Sequence, residues 1–146
     1  MSSNSFLQGV SITRRGFFAA TAAFALALKS LPVWAADKMR KVAFGLGKAE
    51  KLKEVGGSAI LELKGRNVLF VRDTEKTIRA FDPTCTHNKC NVAYAPEERQ
   101  LRCPCHRSAF SLEGEVRGGP APRPLTMYPA KLDGDRVIVS VPVDKP

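Results

Sequence analysis

All four cysteines and both histidines of this 146-residue chain fall in two short blocks, Cys85-Thr86-His87-Asn88-Lys89-Cys90 and Cys103-Pro104-Cys105-His106-Arg107-Ser108. Any soft-ligand or redox chemistry must therefore take place there. Each block pairs a cysteine with a histidine, as Cys-x-His in the first and Cys-x-x-His in the second, with a further cysteine close by. A zinc ribbon usually pairs cysteine with cysteine in one knuckle, and a zinc finger follows a cysteine pair with a histidine pair. Covalent haem attachment needs Cys-x-x-Cys-His, and Cys103-Pro104-Cys105-His106 is one residue short; a thioredoxin-like Cys-x-x-Cys is absent. The mixed pairing suits a [2Fe–2S] centre in which two cysteines hold one iron and two histidines the other. A Cys2His2 structural zinc site or two plain disulfides is the competing use of the same residues.

The two blocks resemble the motifs Cys-Thr-His-x-x-Cys and Cys-Pro-Cys-His-x-Ser of the Rieske iron–sulfur proteins. Gly119-Pro120-Ala121-Pro122 is similar to the proline loop that covers the cluster in their quinol-oxidising branch. The resemblance runs from about Val68 to Val141. It implies one [2Fe–2S] cluster per chain, with Cys85 and Cys103 on the buried iron and His87 and His106 on the outer one. It also implies a disulfide between Cys90 and Cys105, as in the high-potential branch; two buried free thiols are the alternative. The implied fold is an all-β, antiparallel Rieske-type β-sandwich with a small cluster-binding subdomain formed by two loops.

The elements that must position these loops follow from the pattern around them. From Ala59 onward, short apolar runs alternate with turn residues, as in an antiparallel β domain. Strands are expected over Ala59 to Leu63 and Val68 to Val71, joined by a turn at Lys64-Gly65-Arg66-Asn67. Ile78 to Phe81 leads into the first block, and Val92 to Tyr94 leaves it. Gln100 to Arg102 delivers Cys103, so both loops spring from strand ends, a rigid mounting for a cofactor. Ala109 to Ser111 and Glu115 to Val116 flank a turn at Leu112-Glu113-Gly114. Tyr128 to Leu132 and Val137 to Val141 form a closing hairpin across Asp133-Gly134-Asp135-Arg136. Several prolines between Gly118 and Pro124 restrict the backbone, as suits a stiff loop over a site. No internal repeat is evident.

The amino-terminal part reads as a signal rather than as fold. Met1 to Thr13 carries no charge, Ser11-Ile12-Thr13-Arg14-Arg15-Gly16-Phe17-Phe18 contains a twin-arginine pair, and Gly16 to Leu28 is an uncharged, largely apolar run. That run is short for a membrane span, which needs about 20 residues. Val33-Trp34-Ala35 offers small residues at the positions a signal peptidase reads, so cleavage after Ala35 is expected, with a retained membrane anchor as the alternative. Twin-arginine export carries folded proteins, which agrees with a cofactor inserted before translocation. The expected organisation is a leader over 1–35, a linker or first strand over 36–57 and a Rieske [2Fe–2S] domain over 58–146. Within 36–57, Arg40 to Phe44 suits a strand and Lys48 to Val55 a helical turn or ordered linker.

The chain carries 23 Lys and Arg against 14 Asp and Glu, a net charge of +9. Without 1–35, which holds Arg14, Arg15 and Lys29 and no acid, 20 basic residues face 14 acidic ones and the net charge is +6. This surplus suits steering toward a redox protein partner or larger oxidoreductase subunit with an acidic docking face. Nucleic acid lacks support, because the basic residues are scattered among acids, as in Lys48, Glu50, Lys51, Lys53 and Glu54, without an aromatic-interleaved stripe.

Histidine ligation leaves the iron pair less negative and easier to reduce than an all-cysteine cluster, giving potentials of about −150 to +300 mV. One-electron transfer is the expected chemistry, and no catalytic group of its own stands beside the blocks. Set against the quinol-oxidising branch, Lys89 and Arg107 occupy positions that usually hold glycine, and Phe110 one that usually holds tyrosine. Ser108 is retained and is expected to tune the potential by donating to a bridging sulfide; a solvent-facing serine is the alternative. The expectation is a periplasmic carrier or the small subunit of a periplasmic oxidoreductase, similar in arrangement to that of arsenite oxidase. The iron–sulfur subunit of a membrane quinol–cytochrome c reductase is the alternative.

Overall fold

A computed structural model describes residues 39–143. The leader expected over 1–35, with its twin-arginine pair and Ala35, lies outside the described residues. Eleven strands, two 3-10 turns and no α-helix make up the described part. Strand β1 (Met39–Gly45) is followed by 3-10 turns at Leu46–Lys48 and Glu50–Lys53, then β2 (Ser58–Leu63), β3 (Arg66–Arg72) and β4 (Ile78–Phe81). Strands β5 (Ala93–Ala95), β6 (Gln100–Arg102), β7 (Ala109–Phe110) and β8 (Val116–Gly118) come next. Strands β9 (Met127–Tyr128), β10 (Ala130–Asp133) and β11 (Arg136–Pro142) close the chain.

All strand pairs are antiparallel and form three sheets, ordered β1-β11-β10, β2-β3-β4-β9 and β5-β6-β7-β8. The second sheet is the middle layer. Val68 and Phe70 on β3, with Ile78 and Ala80 on β4, pack in one core with Val137, Val139 and Val141 of β11. Leu69 and Val71 on β3, with Phe81 on β4, turn to a second core containing Cys85, Leu101, Cys103 and Phe110. Side chains alternate across a strand, so a strand covered on both faces must be apolar without interruption, and Val68-Leu69-Phe70-Val71 is fully buried throughout. Phe70 also meets Phe44 of β1 edge to face at a ring-centroid distance of 5.1 Å, an arrangement the ring quadrupoles favour.

Two turns are tighter than the sequence implies. The β2–β3 hairpin turns on Lys64 and Gly65 alone, both at positive φ (55° and 80°), and Leu63 already faces Arg66. Arg66 and Asn67 are therefore strand residues, because a two-residue loop with positive φ at both positions matches the strand twist. In the last hairpin Asp133 pairs with Arg136, which leaves Gly134 and Asp135 as the turn. The single strand expected over Tyr128 to Leu132 is broken instead. Pro129 lacks an N–H, so the ladder cannot continue through it; Met127–Tyr128 joins β4 in the middle sheet while Ala130–Asp133 joins β11. The Pro129 carbonyl still accepts the Ser140 N–H at 2.9 Å, so the crossover stays attached to both sheets. Of the 36–57 stretch left open between linker and strand, Met39–Gly45 forms β1, paired with β11, and the two 3-10 turns follow it.

A buried carboxylate fixes the third sheet to the middle one. Asp73, 6% exposed, lies in the β3–β4 turn and accepts from Arg79 Nε at 2.8 Å and Arg99 Nη2 at 2.6 Å. Arg79 continues to the Leu112 carbonyl at 3.0 Å and to Glu113 at 3.3 Å. The β3–β4 turn of the middle sheet is thereby joined to the β5–β6 and β7–β8 turns of the third, at the end remote from the cysteine blocks, and charge-assisted bonds of this kind exceed neutral ones in strength.

Candidate metal centre

The first block is the loop between β4 and β5, and the second is the loop between the neighbouring strands β6 and β7. They share one backbone design, residue for residue. An isolated bridge pairs Thr84 with Asn91 at the base of the first loop, as Arg102 pairs with Ala109 at the base of the second. The Cys85 N–H donates to the Cys90 carbonyl at 2.8 Å, and the Cys103 N–H to the Ser108 carbonyl at 2.8 Å. The fifth residue then turns back on the first: Lys89 N–H to Cys85 carbonyl at 2.9 Å, and Arg107 N–H to Cys103 carbonyl at 3.1 Å. That return requires positive φ, which is 56° at Lys89 and 57° at Arg107. Glycine adopts this conformation most readily, which gives the physical reason for glycine at such positions. The repeat is one of backbone hydrogen bonding and not of sequence, which is why no repeat is evident in the chain.

Side chains placed on this shared frame diverge in a way that builds one site. Both first residues, Cys85 and Cys103, are buried at 1% and 2% exposure and stand free of disulfides. Third in each loop are His87 and Cys105, fourth are Asn88 and His106, and sixth are Cys90 and Ser108. His87 and His106 are exposed and their rings meet edge to face, 4.6 Å between centroids and 83° between planes. Cys90 and Cys105 are joined as a disulfide with a Cα–Cα distance of 6.5 Å, tying the loops together across 15 residues. The sulfurs of Cys90, Cys103 and Cys105 lie within 4.8 Å of one another. That trio is not a ligand set, because the thiolate is the metal-binding form and a disulfide sulfur carries none. Setting the disulfide pair Cys90 and Cys105 aside leaves Cys85, His87, Cys103 and His106, two buried sulfurs and two exposed imidazoles.

The proline loop is held by both blocks. Thr86 Oγ1 donates to the Arg123 carbonyl at 2.7 Å, and Ala121 is buried in the core that contains Cys85 and Cys103. Gly119, at φ 82°, passes so near the second block that a Cβ on it would stand 2.6 Å from Ser108 Cα. Thr86 and Gly119 have structural roles that the spacing of sulfur and nitrogen donors does not reveal; their signal was their place inside the first block and at the head of the proline loop. Ser108 is fully buried, and its Oγ has no hydrogen-bond partner among the described residues. A buried hydroxyl is seldom left unpaired, so a group other than the protein is implied beside it. The solvent-facing alternative for Ser108 is therefore excluded. Phe110, also fully buried, lies in the same core.

The approach to the first loop is fixed at Asp82. Its Oδ1 accepts the Thr84 N–H at 2.9 Å and its Oδ2 the Tyr128 hydroxyl at 3.2 Å. Burial first, and then the adjacent Asp82 carboxylate, raises the Tyr128 hydroxyl above its ordinary value of 10.0, while Arg66 partly offsets this.

Two disulfide-linked loops at one end of a small antiparallel sheet, with sulfur inside and imidazole outside, define an iron–sulfur electron-transfer domain. The chain belongs to the Rieske [2Fe-2S] domain family, which residues 43–129 match. It is 35% identical over 95 residues to the cytochrome b6-f complex iron-sulfur subunit of Chlorobaculum thiosulfatiphilum, covering 65% of this chain and 51% of that one. It is 38% identical over 76 residues to the corresponding subunit of Synechococcus sp. (strain JA-3-3Ab), covering 51% and 44%. The chain thus spans about half the length of the curated relatives it matches. Among solved structures, the cyanobacterial plasma membrane Rieske protein PetC3 from Synechocystis PCC 6803 is 30% identical with a TM-score of 0.55, covering 67% of this chain and 97% of that one. The ferredoxin of carbazole 1,9a-dioxygenase from Nocardioides aromaticivorans IC177 shares the fold, with a TM-score of 0.55 at 22% identity over 69% of this chain and 95% of that one. The cofactor is a [2Fe–2S] cluster, and its chemistry is the transfer of one electron at a time. Among the described residues no helix is long and apolar enough to cross a membrane.

Proposed function

We propose that the chain is an exported high-potential electron carrier, free or as the small subunit of a periplasmic oxidoreductase in an arsenite-oxidase-like arrangement. Cys85 and Cys103 hold one iron, and His87 and His106 the other. The observation that carries this reading is the division of the site into two buried free cysteines and two exposed, mutually touching histidine rings beside an unpartnered Ser108 hydroxyl. A [2Fe–2S] group bound there supplies a one-electron couple at about −150 to +300 mV. The protein's own residues do the rest. The buried cysteines keep one side of the site from water, and the exposed histidines make the side facing a partner. The Cys90–Cys105 bridge and the proline loop hold the two loops at fixed separation, so that little rearrangement accompanies electron transfer.

Export rests on Arg14 and Arg15 and on the apolar run after them, with cleavage after Ala35 releasing the protein to the periplasmic face of the membrane. The organisation in this reading is a leader over 1–35, a connecting first strand region over 36–57 and the cluster domain over 58–146. An acidic docking face on the partner complements the net charge of +6 left after 1–35. A second reading, the iron–sulfur subunit of a membrane quinol–cytochrome c reductase, is favoured by the names of the curated relatives, which are cytochrome b6-f subunits.

The full chain should be expressed with its leader and fractionated. About two irons per chain and the paramagnetic signal of a reduced mixed-ligand cluster are expected, in the soluble periplasmic fraction. Stoichiometric zinc with no such signal would sink the assignment. Retention in washed membranes together with cytochromes b and c would favour the quinol-oxidising reading instead.

A further inference from the structure

Charge in the cluster-bearing part of the chain is sorted along its strands. Between Cys85 and Leu125 the acids are Glu97, Glu98, Glu113 and Glu115, and all four fall in the β5–β6 and β7–β8 turns. Those turns lie at the far end of the third sheet from the ligand loops. The arginines near them are paired, Arg79 with Asp73 and Glu113, Arg99 with Asp73, Arg102 with Glu98 and Arg117 with Glu115. At the opposite end stand Lys89, Arg107 and Arg123, all exposed, whose side chains make no ion pair or hydrogen bond among the described residues.

Their positions are specific. Lys89 is two residues from His87, Arg107 is next to His106, and Arg123 follows the proline loop and accepts through its carbonyl the hydroxyl of Thr86, beside His87. Lys89 and Arg107 occupy the same place in the shared loop design, at positive φ, where glycine would be easier. Lys64 and Arg99 hold the same conformation in turns outside the ligand loops, so what sets Lys89 and Arg107 apart is their place beside the two histidines with no acid among the described residues to pair them. An uncharged ligand docking against the histidines would have to strip water from these cations without compensation, whereas a carboxylate-bearing surface compensates them.

Resting on the electron-transfer reading, we propose that Lys89, Arg107 and Arg123 form a docking collar around His87 and His106 for the acidic face of a protein redox partner. The collar is local. It steers the partner's cofactor to the histidine edge, and the remaining surplus of positive charge contributes only weakly.

The test uses the cluster-loaded protein and hexacyanoferrate(III), an anion that takes one electron from the reduced cluster and becomes hexacyanoferrate(II), with no proton moved. Lys89→Gln/Arg107→Gln/Arg123→Gln is compared with Lys41→Gln/Lys48→Gln/Lys131→Gln, which removes the same charge from exposed sites on β1, the first 3-10 turn and β10. At low ionic strength the collar variant should react about 10-fold more slowly and lose most of its salt dependence, within the range that electrostatic steering provides. The control should change less than about 2-fold. Poly-L-glutamate, a redox-inert acidic chain, should inhibit wild type and control but not the collar variant. Lys89→Gly/Arg107→Gly removes two of the charges while relaxing the backbone, and should reproduce most of the loss with an unchanged cluster spectrum. Equal slowing of collar and control variants, or an unslowed collar variant with its cluster intact, overturns the proposal and leaves the carrier function standing. Protein that holds no cluster overturns both.

Discussion

Gly119 of the proline loop lies against the backbone of Ser108, with room for a hydrogen but not for a methyl group, since a Cβ would come within 2.6 Å of Ser108 Cα and 2.9 Å of its nitrogen. The obstructing atoms are backbone and cannot swing aside. Gly119 also holds φ at 82°, which a side chain disfavours. Gly119→Ala should therefore lift the proline loop from the second block, lowering stability by about 2 kcal/mol or more. The visible absorbance of the cluster should decay faster in air than in wild type. A variant with wild-type decay and melting temperature would show that the loop is free to move.

Ser108→Ala should lower the reduction potential. The buried Oγ lacks a protein partner, and a hydrogen bond from it to a cluster sulfur would strengthen as the cluster gains negative charge. A bond to a charged group contributes about 1.5–3 kcal/mol, and about 1.4 kcal/mol corresponds to about 59 mV for one electron, so a drop of about 60–130 mV is expected. Protein-film voltammetry measures it. An unchanged potential with an intact cluster would mean that Ser108 donates elsewhere.

Cys105→Ser should keep Cys85, His87, Cys103 and His106 but free the two loops from one another. Closing a loop of this size, with the cysteines 15 apart, contributes about 3 kcal/mol in the chain-entropy account. Denaturant unfolding of the oxidised protein should show a loss near that value, and thiol titration of the denatured wild type should find only the thiols of Cys85 and Cys103.

Alkaline stability should depend on Tyr128. Its raised pKa means that the folded protein holds the phenolic proton more tightly than the unfolded chain does. The contribution is thus complete below the unfolded value of 10.0 and is lost as pH rises through the folded one. Tyr128→Phe removes this slope, and also a hydrogen bond worth about 0.5–1.5 kcal/mol at neutral pH. Urea midpoints measured from about pH 9 to about pH 11 should therefore converge between variant and wild type as pH rises. Parallel curves would assign the alkaline loss to other groups.

How far the chain could be read without its structure depended on the range of the interactions concerned. The chemistry of the site was legible because donor type is a property of single residues, and the four cysteines and two histidines are gathered in two hexapeptides. Strand β4, at Ile78–Phe81, was legible to the residue because a short, largely apolar run ended at turn signals, and β6, at Gln100–Arg102, because it lies between the turn expected over Ala95 to Arg99 and Cys103. Spacing alone left the pairing of four cysteines open, for it depends on which sulfurs two separate loops bring together. The resemblance implied Cys90 with Cys105, and the converging loops are what realise that bond. Tertiary structure alone decided that Pro129 hands the chain from one sheet to another, and that Val68 to Val71 is buried on both faces. Long-range packing likewise sealed the Ser108 hydroxyl from water and pressed Gly119 onto the Ser108 backbone, since burial and close approach are set by chain segments that local pattern does not relate.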